Sequence, residues 1–109
     1  MLLLFSVPPS GQGTDGTEEV TAMVDSLVEL PCKVDAFPPP TFSWIKDGQV
    51  LSGNSLHHAV LPSGTLRIAT VKVADSGEYK CVATNVAGEL TKDYSLNVQG
   101  EKYELLSRH

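Results

Sequence analysis

The sequence predicts an all-β fold, a sandwich of two antiparallel sheets with Greek-key connections. Its 109 residues are enough for one domain with a substantial hydrophobic core. Apolar and polar residues alternate over several short runs, as they do on half-buried strands. Turn-forming residues separate these runs at a spacing of roughly ten residues, which is typical of a sandwich or a barrel. The sequence contains no helical stripe of useful length.

Five strands can be placed from this alternation, and in each strand every second residue faces the core. The inward residues are, in chain order, Val28, Leu30 and Cys32; Phe42 and Trp44; Leu66 and Ile68; Tyr79, Cys81 and Ala83; and Tyr94, Leu96 and Val98. Gly, Asn, Asp and Ser mark the turns between them, among them the Pro62-Ser63-Gly64 turn. Pro31 stands inside the first of these strands. Because proline has no N–H to donate, we expect a bulge or a missing ladder bond there, with Pro31 facing outward.

The two ends of the chain differ from its centre in composition. Residues 1–17 are predicted to form an N-terminal extension or linker, because Gly, Ser, Thr and Asp dominate their second half. Residues 18–99 form the predicted domain, and residues 100–109 a flexible tail. The apolar run from Met1 to Phe5 lacks a basic start and a small-residue cleavage site. We therefore expect this chain to contain no signal peptide.

Charge and hydropathy exclude two classes of partner. The net charge is −5 and the lysines and arginines form no cluster, which argues against binding to nucleic acid. No stretch approaches the roughly 20 apolar residues of a membrane-spanning helix. We expect no membrane insertion.

The two cysteines and the single tryptophan carry a more specific pattern. Trp44 follows Cys32 by twelve residues, and Cys81 follows Tyr79 by two. These are the spacings of the immunoglobulin sandwich. From Cys32 the chain reads Cys-x-Val-x-Ala-x-Pro-x-Pro-x-Phe-x-Trp and then Ile-Lys-Asp-Gly. This run resembles the intermediate, or I-set, pattern of the immunoglobulin family.

The second half of the chain strengthens the resemblance to the I-set. The run from Asp75 to Cys81 reads Asp-Ser-Gly-Glu-Tyr-Lys-Cys, and the run from Asn85 to Gly88 reads Asn-Val-Ala-Gly. By this resemblance, Asp75 and Gly77 shape the turn into a strand. Asn85 and Gly88 form the next hairpin, where glycine supplies positive φ.

The resemblance also implies the structural roles of the core residues. It implies a disulfide between Cys32 and Cys81, which are 49 positions apart. A bridge that closes a loop of this length stabilises by about 4 kcal/mol in the chain-entropy model. Two free, buried thiols remain the alternative. The implied structural core is Leu30, Trp44, Leu66 and Tyr79, with the hydroxyl of Tyr79 bonded to nearby backbone as a tyrosine corner.

Within the immunoglobulin family, two segments are similar to the tandem modules of the hemicentins, a family of large extracellular-matrix proteins. These segments are Leu61–Ile68 and Ala83–Gly88, and Val7-Pro8-Pro9 at the entry to the domain shares the similarity. The similarity implies an extracellular, non-catalytic module of a matrix or cell-adhesion protein. Such a module acts as a structural spacer and as a surface for other proteins, including neighbouring modules in a tandem array. Two alternatives remain open: an intracellular filament module resembling those of titin, with both thiols reduced, and a ligand-binding domain of a cell-surface receptor.

No residue pattern indicates an enzyme, a cofactor or a metal site. The serines lie in no activation motif, and the cysteines are expected to be buried. His57 and His58 are adjacent, so on a strand they point to opposite faces and cannot easily share one ion. We expect binding surfaces instead on the strand from Leu90 to Tyr94, at the Asp47–Gly48 turn, and on the loops at one end of the sandwich.

Overall fold

The computed structural model describes residues 6–11, 16–51 and 54–100. These residues form ten strands and one 3₁₀ turn, Val73–Asp75. The strands are β1 Val7–Ser10, β2 Thr17–Met23, β3 Val28–Leu30, β4 Asp35–Phe37, β5 Thr41–Lys46, β6 Gln49–Leu51, β7 His58–Val60, β8 Leu66–Ile68, β9 Gly77–Asn85 and β10 Gly88–Gln99. In the described part of the chain, no helix has the length and apolar character needed to cross a bilayer.

The strands form two main sheets and one short pair. The larger sheet has the order β2-β10-β9-β5-β6, the smaller one β3-β8-β7, and β1 pairs with β4. This arrangement confirms the predicted sandwich. One pairing differs from the prediction: β2 and β10 run parallel over seven residue pairs, from Thr17–Asp93 to Met23–Gln99. Parallel neighbours require a long connection, and here most of the domain lies between the two strands.

The core lies between the two sheets and is built from both. The smaller sheet contributes Val28, Leu30, Leu66 and Ile68, and the larger one Trp44, Tyr79, Cys81, Ala83, Tyr94, Leu96 and Val98, all of them buried. Alternation in the sequence placed each of these residues inward. Phe42, also predicted inward, is half-buried at the margin of this cluster. Full burial of a leucine side chain, as at Leu30 and Leu66, stabilises the fold by about 1.5–3 kcal/mol.

Strand pairing breaks at Pro31, where the missing N–H predicts a bulge or a lost ladder bond. Strand β3 stops at Leu30, Pro31 is exposed, and Cys32 on the opposite side is 2% exposed. The carbonyl of Pro31 accepts a hydrogen bond from the hydroxyl of Tyr94. The expected break in strand pairing is therefore present, and a side chain from the other sheet satisfies the carbonyl left beside it.

Ordered structure begins before residue 18, where the predicted domain starts. Strand β1 lies inside the predicted extension and pairs antiparallel with β4, with an irregular register between its two ends. Pro9 of this strand is buried, and Gly11 approaches the carbonyl of Lys33 so closely that a Cβ would lie 2.5 Å from it. Packing against the domain therefore orders part of a Gly- and Ser-rich segment. The predicted tail beyond Gly100 and the apolar run from Met1 to Phe5 lie outside the described residues.

Candidate functional site

The disulfide and the tryptophan form the centre of the scaffold that carries any binding surface. Cys32 and Cys81 are joined by a disulfide across the sandwich. Trp44 is fully buried, and its indole nitrogen donates a 2.9 Å hydrogen bond to the carbonyl of Gly64. Its ring stacks on Tyr94 with centroids 6.0 Å apart. The one polar atom of this large side chain is thus satisfied, as a buried indole requires.

Gly64 was predicted only as a turn residue, yet it supports the core directly. Its φ is +94°, and a Cβ at this position would lie 2.5 Å from the ring of Phe42. Both the backbone conformation and the space therefore require glycine. The sequence signal was the Pro-Ser-Gly turn, which indicates the bend but not the ring that packs against it.

The turn into β9 is the tyrosine corner that the resemblance implied. The hydroxyl of Tyr79 donates a 2.6 Å hydrogen bond to the carbonyl of Asp75. Gly77 has a φ of +152°, and a Cβ there would lie 2.6 Å from a carboxylate oxygen of Asp47. That carboxylate accepts a hydrogen bond from the backbone nitrogen of Glu78 at 2.9 Å. The corner therefore joins the Asp47–Gly48 turn to the start of β9.

Electrostatics at this corner follow from burial and from these hydrogen bonds. The Glu78 backbone N–H, with Lys46 contributing, holds the pKa of Asp47 below its usual value. Burial, with the nearby charges of Asp75 and Asp47 adding to it, raises the pKa of Tyr79 well above its usual value. Both groups therefore keep their ordinary protonation states at neutral pH.

Asp75 contacts the backbone of Lys72 and the ring of His57. Its carboxylate accepts hydrogen bonds from the backbone nitrogen of Lys72 at 2.7 Å and lies 2.9 Å from the ring nitrogen Nε2 of His57. The ammonium group of Lys72 pairs with Asp25. His57 therefore links the loop before β7 to the 3₁₀ turn. Within the described residues, no three His, Cys, Asp or Glu side chains are grouped so that they could hold a metal ion.

Asn85 organises one end of the sandwich, which we call the first pole. The pole consists of Val7, Phe37 and the two-residue hairpin Val86–Ala87. The Asn85 amide donates hydrogen bonds to the carbonyls of Val7 at 2.8 Å and Pro38 at 3.2 Å. Its side-chain oxygen accepts from the nitrogen of Ala87 at 2.9 Å. The sequence placed Asn85 and Gly88 in this hairpin, but not the long-range bonds.

The first pole exposes three apolar side chains. Val7 is 48% exposed, Phe37 56% and Val86 82%. Val7 and Phe37 are register partners in the β1–β4 pair, so the two lie side by side. The I-set pattern includes Ala36 and Pro38 but not Phe37, which lies between them.

The opposite end of the sandwich, which we call the second pole, carries a similar set. Met23 is 53% exposed, Leu27 52% and Val73 54%. Backbone hydrogen bonds from Asp25 to Val71 and from Val71 to Ser26 hold the two turns of this pole together. Strand β10 ends here beside Met23. Each end of the sandwich therefore presents partly exposed apolar side chains.

The strand segment from Leu90 to Tyr94 offers less surface than the sequence suggested. Tyr94 is 2% exposed, and Leu90 and Asp93 are half-buried. Lys92 lies over the Tyr94 ring at 5.1 Å and forms an ion pair with Glu18 at 2.9 Å. This segment is part of the scaffold because β2 and the core cover most of it.

Comparisons with known proteins agree with this architecture. A sequence model of the Immunoglobulin I-set domain matches residues 14–98. Human hemicentin-1 is 42% identical over 81% of this chain and 2% of its own length; mouse hemicentin-2 is 44% identical over 88% of this chain and 2% of its own. The solved structure of Sidekick-1 immunoglobulin domains 1–4 aligns with a TM-score of 0.78 and 31% identity, covering 87% of this chain and 25% of that one. The chain thus spans a small fraction of these relatives.

Proposed function

Since the chain belongs to the immunoglobulin I-set family, we propose that it is a non-catalytic module of an extracellular matrix or cell-adhesion protein. Its role is to act as a structural spacer and a protein-interaction surface within a tandem array. Fold alone does not assign function, so the proposal rests on the chain's own surface. The observation that carries it is the pair of apolar poles.

The poles are suited to contact with neighbouring modules in series. At the first pole Phe37 and Val86 are more than half exposed, as are Met23 and Leu27 at the second. Grouped apolar side chains that remain exposed mark contact surfaces more often than scattered ones do. Contacts between domains of one chain are of moderate size and partly polar, which agrees with a few apolar residues beside the Asp25–Lys72 ion pair. Packing of one pole on the other would keep successive modules in line.

The disulfide supports an extracellular location. The bridge between Cys32 and Cys81 is buried in the core, and bridges of this kind form and persist in oxidising compartments. Mass measurement after alkylation without reductant, on protein isolated from its native source, tests this part. No alkylated thiol is the expected result. Two alkylated thiols would contradict the extracellular location and favour the intracellular filament module.

Packing between poles can be tested with two copies of the chain joined in series. Phe37→Asp in the second copy should lower the thermal midpoint of the two-copy protein, because it places a charge in the contact between the modules. The same substitution in a single copy should have little effect, because Phe37 is 56% exposed there. Val50→Asp is the matched control, since Val50 is 64% exposed on β6 and belongs to neither pole. Equal effects of the two substitutions in the two-copy protein would contradict the proposal.

A further inference from the structure

The outward face of the smaller sheet carries balanced charge. Glu29 of β3 and Arg67 of β8 are register partners, and both are exposed. Ala59 of β7 lies opposite Arg67 on its other side. Among the nine residues of these three strands, Glu29 and Arg67 are the only Asp, Glu, Lys or Arg side chains. This face therefore combines one negative charge, one positive charge and a small neutral side chain.

The outward face of the larger sheet is less favourable for contact between two copies. The chain as a whole has a net charge of −5, so two copies repel each other on average. The groove on the outward face of the larger sheet is lined by Glu78 and Asp93 against Lys80, and it therefore has an excess of negative charge. A second copy would meet less repulsion at the smaller sheet than at this groove.

Leu56 projects from this balanced face. It lies in the loop that leads into β7 and is fully exposed, at 102%. Beside it is a shallow hollow of about 260 Å³, which is also lined by His57, Ala59, Arg67 and Ala69. The two alanines contribute methyl groups to the hollow, and the carbonyl of His57 holds Ala69 in place through a 2.8 Å backbone hydrogen bond. A projecting apolar side chain and an apolar hollow are therefore adjacent on one face.

We propose that this face is a self-association surface. Leu56 of one copy enters the hollow of a second copy, and Leu56 of the second copy enters the hollow of the first. In a two-fold dimer the same patch must serve both partners, so the projection and its receiving hollow have to lie on one surface. Leu56 and the hollow meet this condition. Because the opposite charges of Glu29 and Arg67 balance each other, a second copy can approach this face without net repulsion from these two side chains. This contact goes beyond the tandem array, because it uses the smaller sheet and neither pole.

Sedimentation velocity of the full 109-residue chain tests the proposal. Wild-type protein should shift from monomer to dimer as its concentration rises from about 10 µM to about 1 mM, the range of weak interfaces. Leu56→Asp should weaken the dimer roughly 100-fold, because two leucines leave the interface and each is worth about tenfold or more. Val86→Asp is the matched control, since Val86 is 82% exposed but lies at the first pole, and it should dimerise like wild type. Fluorescence of the buried Trp44 verifies that each variant is folded.

A mixing experiment tests whether the contact is reciprocal. Chains carrying Ala69→Lys should also fail to pair with themselves, because a lysine then blocks the hollow. An equal mixture of Leu56→Asp and Ala69→Lys chains should form a heterodimer, since opposite charges then meet in one of its two contacts. Any one of four results would overturn the proposal. The wild type could remain monomeric at every concentration, or the Leu56→Asp variant could dimerise normally. The Val86→Asp variant could fail to dimerise, or the mixture could stay monomeric. None of these results affects the test of the poles, which measures two copies in series.

Discussion

Gly64→Ala adds one methyl group at the place where the turn packs most tightly on the Phe42 ring, so it tests how far that contact limits stability. In Gly64→Ala, the backbone must hold alanine at a φ of +94°, which costs about 1–2 kcal/mol for a residue with a Cβ. The same Cβ would lie 2.5 Å from the Phe42 ring, and overpacking of this kind costs about 1–3 kcal/mol. We therefore expect the free energy of unfolding to fall by about 2–5 kcal/mol.

Gly48 provides a matched control for the backbone term. Its φ is +87°, and a Cβ there would have no atom within 4 Å. Gly48→Ala should therefore cost only the backbone contribution of about 1–2 kcal/mol. The difference between the two variants isolates the contact with Phe42.

Urea denaturation followed by the fluorescence of Trp44, the only tryptophan, measures both variants. At a slope of about 1–3 kcal/mol per molar urea, a difference of this size shifts the midpoint clearly. Adding Phe42→Leu to Gly64→Ala should recover part of the loss, because the smaller side chain leaves room for the methyl group. If Gly64→Ala costs no more than Gly48→Ala, the close contact with Phe42 does not constrain this position and the reasoning is refuted.

Three further predictions concern the hydrogen bonds and the disulfide. Burial, with the charge of Glu18 adding to it, raises the pKa of Tyr94 to about 12, and that of Tyr79 is raised as well. The two tyrosines should therefore add no pH dependence to the unfolding midpoint below about pH 10 and should make it fall as the pH rises above that value, and Tyr94→Phe should reduce this fall in an alkaline titration. Asn85→Ala should lower the free energy of unfolding by about 1–3 kcal/mol in urea, because the carbonyls of Val7 and Pro38 lose their donor; an unchanged midpoint would contradict this role. Reduction of the Cys32–Cys81 bridge, followed by alkylation, should lower the thermal midpoint by an amount that corresponds to about 4 kcal/mol. A smaller shift would contradict the chain-entropy model, because it would mean that the unfolded state of the reduced chain retains structure.

The sequence predicts the interior of this fold better than its surface, and the reason is physical. Alternation is a local signal, so it places Leu30, Leu66 and Tyr79 inward without knowledge of the rest of the chain. The bonds from Asn85 to Val7 and Pro38 join residues 78 and 47 positions apart. Nothing in the local sequence indicates such partners, because they depend on where distant strands come together.

The exposed apolar residues of the two proposed surfaces were missed for a related reason. Phe37 and Leu56 are apolar, and local patterns assign apolar residues to the core or pass over them in turns. Only the folded chain shows that they are 56% and 102% exposed. Neither β2 nor its parallel pairing was predicted, since alternation does not distinguish parallel from antiparallel neighbours on an edge strand.

The parallel pairing of β2 with β10 determines how the module would respond to tension. If the chain were pulled from both poles, β2 would be drawn toward the first pole and β10 toward the second. The seven register pairs between them, from Thr17–Asp93 to Met23–Gln99, would then be sheared together instead of opening one after another. Strand β1, with two register pairs, lies ahead of β2 in the chain and would detach first. The resistance of the module to extension would thus depend on the rate at which the seven pairs between β2 and β10 rupture together, rather than on the stability of the whole sandwich.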